Sequence, residues 1–170
     1  MEFTIRKWEK RDAESVAKYA NNEKIAKNLR NVFPYPYTLE DAKGYVYDCV
    51  DGGDDRRLVR AIDVNGEAVG SVGLFLGTDV AERSAELGYW LAEEYWRKGI
   101  MSSAVKQLCR EAFETFELER IYAEPFAYNE GSKGVLLKAG FTYEGTMRSS
   151  VYKRGQVFDQ CLYSLLKGEI

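Results

Sequence analysis

Glu86-Leu-Gly-Tyr-Trp-Leu-Ala-Glu-Glu-Tyr-Trp-Arg-Lys-Gly-Ile-Met-Ser102 decides how this chain is read. Arg83 to Leu91 has the apolar content of a central strand, and it runs into a short charged turn with one glycine. From Gly99 to about Phe116 the residues Ile100, Ala104, Leu108, Ala112 and Phe116 share one helical face. The first N–H groups of a helix have no intrahelical acceptor and lie at the positive end of the helix dipole, so a strand, turn and helix in this order suit an anion. Gly99 permits close backbone approach, and Arg97 and Lys98 add positive charge. A solvated basic pair before a helix is the plainer reading of the same residues. The turn has neither GxGxxG nor GxxxxGK[ST], which argues against a nucleotide switch.

Upstream, Phe3 to Trp8 alternates as a half-buried strand does, and Asp12 is expected to cap a helix carrying Ala13, Val16, Ala17 and Ala20. A second short helix is expected to hold Ile25 and Leu29. Asn31-Val-Phe-Pro-Tyr-Pro-Tyr37 follows as a loop, because two prolines forbid regular helix. Thr38 and Asp41 resemble a capping box, opening a helix to about Val50 that Asp51-Gly-Gly-Asp-Asp55 ends. Leu58 to Val64 and Glu67 to Leu76 are strands joined by Asn65-Gly66, the pair suited to a type I′ hairpin turn.

Downstream, Arg120 to Ala127 reads as strand. Asn129 or Ser132 can cap a helix with Val135, Leu136 and Leu137 that stops at Gly140. Strands near Phe141 to Tyr152 and Val157 to Leu166 meet at a turn containing Gly155. Antiparallel hairpins with two crossover helices predict an α/β (α+β) fold, a mixed, mostly antiparallel sheet of about seven strands flanked by helices. No repeat or linker divides residues 1–170, which are read as one domain.

The 24 basic and 27 acidic residues give a net charge of −3, which offers no reason to expect a nucleic-acid partner. Cys49, Cys109 and Cys161 are far apart, odd in number and without CxxC, so neither a disulfide framework nor a metal site is expected. The first residues, Met1 to Trp8, lack the apolar run of a signal peptide, and no stretch of roughly 18 apolar residues occurs, so a reducing cytoplasm is the expected location.

Taken together, Ala85-Glu-Leu-Gly-Tyr-Trp-Leu91, Tyr95-Trp-Arg-Lys-Gly-Ile-Met101, Asn129-Glu-Gly-Ser132, Lys138-Ala-Gly-Phe141, Glu144-Gly145 and the closing Gly155, Asp159 and Tyr163 resemble the GCN5-related N-acetyltransferase superfamily. Within it they are most similar to the branch that acetylates ribosomal-protein N-termini. The resemblance implies acetyl-coenzyme A as acyl donor, no metal, and an amine acceptor on a protein N-terminus or a small molecule. A homodimer is compatible with it.

In that family the pyrophosphate rests on a turn that here maps to Trp96, Arg97, Lys98, Gly99, Ile100 and Met101. Trp96 and Met101 depart from the family's pattern of Arg or Gln first and Gly or Ala last, so backbone N–H groups must carry the contact, with the Ser102 hydroxyl as an added donor. The strand backbone near Trp90 and Leu91 is expected to pair with the pantetheine arm, a neighbouring N–H polarising the acetyl carbonyl. Core packing is the plainer role for both side chains. Asn129 is expected to reach the coenzyme or simply to cap its helix.

Transfer needs an uncharged amine, a proton acceptor and a donor to the departing thiolate. The chain has no histidine. Glu86 is the candidate base, with a structural carboxylate as the alternative. Ser132 is the candidate proton donor, alongside an N-cap role, and Tyr128 is a second candidate. The cysteines have no adjoining histidine to activate them, so direct transfer is expected. Phe33-Pro-Tyr-Pro-Tyr37 is placed by resemblance where an acceptor groove lies, or packs the loop onto the domain. An acetyltransferase of polyamines or aminoglycosides, and a catalytically silent coenzyme-A-binding module, remain the competing readings.

Overall fold

The computed structural model describes all 170 residues. Seven strands form one sheet: β1 Thr4–Arg6, β2 Arg57–Val64, β3 Glu67–Leu76, β4 Ser84–Leu91, β5 Arg120–Ala123, β6 Thr142–Lys153 and β7 Gln156–Leu166. Their order across the sheet is β1-β2-β3-β4-β5-β7-β6, and only β4 and β5 run parallel. The helices are α1 Ala13–Ala20, α2 Glu23–Ala26, α3 Leu39–Asp51, α4 Ile100–Thr115 and α5 Glu130–Lys138. This is the mixed, mostly antiparallel sheet expected from the hairpin signals.

The β2–β3 turn places Asn65 at φ 54° and Gly66 at φ 86°, the pair of positive values a type I′ turn needs. Thr38 caps α3 through a reciprocal box, its hydroxyl accepting from Asp41 N–H and the Asp41 carboxylate from Thr38 N–H. Asn129, not Ser132, caps α5: its Oδ1 accepts the Ser132 N–H at 3.1 Å. Gly140, at φ 97°, ends the chain's helical course.

Three expectations change. Asp12 precedes α1 but does not cap it, because its buried carboxylate is taken by the Arg6 guanidinium at 2.8 and 2.9 Å and by Glu9 N–H. Burial raises that carboxyl's pKa, and Arg6 and the Glu9 N–H outweigh it, so the group lies below its ordinary range. Leu29 lies beyond α2, which stops at Ala26. β5 ends at Ala123 rather than Ala127, because Pro125 interrupts the run and the chain follows β7 outward through the Phe126–Gln160 bridge.

Two helical layers cover opposite faces. Val59, Gly73 and Gly88 are cross-strand partners, as are Arg60, Val72 and Tyr89 on the other face. Tyr45 of α3 hydrogen-bonds Ser71 on the first face, and Glu111 of α4 pairs with Arg60 on the second. Ile100, Leu108 and Ala112 seat α4 in the core, while Ala42 and Val46 seat α3.

Candidate active site

β4 pairs with β5 only from Ser84↔Arg120 to Glu86↔Tyr122, and β5 then departs with β7. The rest of β4 therefore has an open edge. The bonds from Ala92 N–H to the Val69 carbonyl and from Gly77 N–H to the Ser84 carbonyl set the phase of the β3–β4 ladder. Alternation turns the Trp90 backbone towards β3 and leaves Tyr89 and Leu91 facing the gap. The Leu91 carbonyl accepts the Trp96 indole N–H at 2.7 Å. Both Trp90 and Leu91 side chains are buried.

One cleft of about 970 Å³ passes through this gap, joining the two faces of the sheet. At its α4 end, the backbone N–H groups of Arg97, Lys98, Gly99, Ile100, Met101 and Ser102 have no hydrogen-bond acceptor in the protein, and Ser103 N–H is the first to find one, on the Gly99 carbonyl. Arg97 at φ 61° and Gly99 at φ 77° give the left-handed kinks that turn consecutive N–H groups the same way. The Met101 side chain is buried in the core, which leaves its N–H open. The Ser102 hydroxyl donates to the Gly99 carbonyl at 3.2 Å. Trp96 braces the turn against the strand end. Lys138, in the last turn of α5, reaches over Gly99, where an added Cβ would lie 3.5 Å from its Nζ. Arg97, Lys98 and Lys138 form no salt bridge, so their charge is uncommitted.

Beside the gap, the Ser132 hydroxyl and the Tyr89 phenol lie 2.5 Å apart, and burial raises the Tyr89 pKa. Asn129 lines the same stretch with its Oδ1 committed to the α5 cap. Tyr128 is elsewhere: its hydroxyl donates to the Lys27 carbonyl, its ring packs on Phe126 and Phe158, and it does not line the cleft.

On the α3 side, Glu86 accepts from the Arg30 guanidinium at 2.6 Å. Glu124, two residues beyond Glu86's β5 partner Tyr122, lines the same cleft and has no hydrogen-bond partner on its carboxylate. Burial, then the neighbouring Glu86 charge, raises its pKa, with Arg30 opposing. The loop carrying Arg30 is fastened from the edge strand of the sheet. Lys153 Nζ, buried at the end of β6, donates to the Leu29 carbonyl at 2.6 Å and to Asn31 Oδ1 at 3.3 Å.

The structure thus gathers the turn, Leu91, Asn129, Ser132 and Glu86 around one cleft. Sequence reasoning missed Tyr89, Glu124, Lys138 and Arg30. Tyr89 stood in the quoted strand and Lys138 in a quoted motif, so a signal existed for both. Nothing local points to Glu124 or Arg30, which meet Glu86 only through tertiary folding.

A sheet opened between two parallel strands and flanked by an anion nest is built like the acetyltransferases that the motifs resemble. Residues 2–142 match the acetyltransferase (GNAT) domain family, and the chain belongs to it. The chain is similar to the putative ribosomal N-acetyltransferase YdaF of Bacillus subtilis, 32% identical over 175 residues covering 98% of this chain and 92% of that protein. Among solved structures, the ribosomal-protein-S5-alanine acetyltransferase from Vibrio fischeri superposes with TM-score 0.83 at 26% identity, over 98% of this chain and 93% of that one. The spermidine N-acetyltransferase from Vibrio cholerae, at 21% identity, shares the fold with TM-score 0.79 over 98% and 96% of the two chains.

Proposed function

We propose that the protein moves an acetyl group from acetyl-coenzyme A directly to a primary amine, and that its acceptor is a protein N-terminal α-amine, as in the ribosomal-protein branch. The single observation carrying the donor half is the run of six unpaired N–H groups from Arg97 to Ser102, opening on the cleft that also holds Glu86 and Glu124. Such a row, with Arg97, Lys98 and Lys138 around it, fits a pyrophosphate. The Tyr89 and Leu91 edge fits an amide-bearing arm that continues the sheet. When bound, the coenzyme supplies a thioester carbonyl and a thiol leaving group.

The chain's own groups then divide the work. Glu124 takes the proton from the incoming amine, because its carboxylate is free and its raised pKa makes it the better proton acceptor. Glu86, whose Oε2 accepts from Arg30, keeps Arg30 in place and offers its second carboxylate oxygen to the acceptor's amine. The Tyr89–Ser132 hydroxyl pair protonates the departing sulfur. An N–H on the open edge of β4 stabilises charge developing on the acetyl oxygen. None of the three cysteines lines the cleft, and burial pushes the Cys49 thiol up to about 11 and Cys109 to about 12, away from the thiolate an acyl carrier needs.

The acceptor reading rests on the similarity to the putative ribosomal N-acetyltransferase, together with Lys27, which lines the cleft without a carboxylate partner and would oppose the second cation of a polyamine. Free cysteines accord with work in the cytoplasm. Thiol release from acetyl-coenzyme A, measured with a panel of N-terminally free peptides beside spermidine and an aminoglycoside, tests the reading. Peptide-dependent release is expected; release with spermidine alone overturns the acceptor, and tight coenzyme binding without release from any amine overturns the activity.

A further inference from the structure

We infer that the acceptor's first side chain is apolar and seats in a trough floored by the bare backbone of Gly88, with Gly73 and the Phe75 ring beside it; this rests on the α-amine reading above. The two glycines are cross-strand partners on β3 and β4, on the face that α3 covers. Neither has the left-handed φ that would demand glycine, and glycine inside a strand is intrinsically unfavourable. A Cβ built on Gly88 meets nothing within 4 Å, so the space above it is empty; one on Gly73 would touch Phe75 at 3.3 Å and Val59 at 3.4 Å. Gly88 under open space, beside a Gly73 that the Phe75 ring and Val59 approach closely, lets a ligand come near the sheet there.

The surroundings are apolar. Phe75 remains 44% exposed and forms one wall, and Trp90, with Phe33 packed on it at 6.0 Å, forms the other. The inner end is closed by Tyr45 and Ser71, whose hydroxyls are 2.6 Å apart and engaged with each other. The outer end meets Glu86, paired with Phe75 across the ladder, and Glu124 beyond it. An α-ammonium at the carboxylates therefore places the substituent on its own carbon over the glycine floor. A charged or strongly polar substituent would be desolvated there without a partner.

Gly88→Val tests this, because the strand accepts a β-branched residue and the added atoms occupy the trough. Wild-type protein is expected to acetylate peptides beginning with Leu at least about tenfold more efficiently than the same peptides beginning with Gly or Asp. In Gly88→Val the Leu-to-Gly ratio should fall to about one. Equal efficiency for all three first residues in the wild type overturns the subsite while leaving α-amine acetylation standing. Acetylation of spermidine but no peptide overturns both. Calorimetric binding of the same peptides to the coenzyme-A-loaded protein gives a second readout, independent of turnover. Tighter binding of the Leu peptide, lost in Gly88→Val, supports the trough, and equal binding overturns it.

Discussion

The two ends of the cleft are made of different material. At the α4 end the contacts belong to the backbone: Arg97 to Ser102 offer six N–H groups, and the side chains of Ile100 and Met101 are buried away from them. At the α3 end the contacts belong to side chains, with Arg30, Glu86 and Glu124 at the rim and Phe33, Phe75 and Trp90 around bare glycines. A backbone site tolerates sequence change as long as φ and ψ are kept, which is why Trp96 and Met101 can depart from the family's pattern. A side-chain site changes its ligand with each substitution. One fold can thereby keep a common donor and vary its acceptor.

A harmless backbone change at the α4 end would contradict this division most visibly. Gly99→Val forces a β-branched residue to φ 77° and sets its bulk into the nest. Losing about two charge-assisted hydrogen bonds should weaken coenzyme A roughly 100-fold by calorimetry, with a lower melting temperature. Glu124→Gln should come next on turnover, reducing kcat by about 100-fold while leaving coenzyme affinity within a few-fold. The pH profile sharpens this. A base works deprotonated, so a raised Glu124 pKa puts the acidic fall-off of kcat/KM above the ordinary carboxylate range, and Glu124→Gln should remove that limb.

Smaller effects separate the remaining roles. Glu86→Gln should lower kcat/KM about tenfold, chiefly through the acceptor's KM, because it releases Arg30 and removes the ammonium's partner. Tyr89→Phe and Ser132→Ala should each lower kcat about tenfold, and together little further, because they serve one hydrogen bond. Met101→Leu, at a buried side chain facing away from the nest, should leave coenzyme affinity unchanged and cost under about 1.5 kcal/mol of stability by denaturant titration.

The sequence was most legible where structure is local. The Asn65-Gly66 turn, the Thr38–Asp41 box and the strand, turn and helix from Arg83 to Phe116 depend on residues within a few positions of each other, and each formed as expected. Asp12 shows how tertiary structure overrides such a rule: Arg6, brought alongside by β1, offers its carboxylate stronger partners than a helix N-terminus does. The turn proposed for the donor could be picked out because its unpaired N–H groups lie on consecutive residues. At the α3 end the sequence offered Glu86 and the Phe33 loop but not their neighbours, since Arg30 and Glu86 are 56 positions apart and Gly73 and Gly88 are brought side by side only by the β3–β4 register. The loop bearing Arg30 is itself held by Lys153, at the other end of the chain.

The most direct test of this division is a single titration of coenzyme A into the wild type, Gly99→Val and an Arg97→Ala/Lys98→Ala double variant. A backbone-borne donor site predicts that Gly99→Val loses far more affinity than the double variant, whose loss should stay near tenfold because only screened side-chain charge is removed. If the double variant abolishes binding while Gly99→Val retains it, the donor site belongs to side chains and the account is wrong.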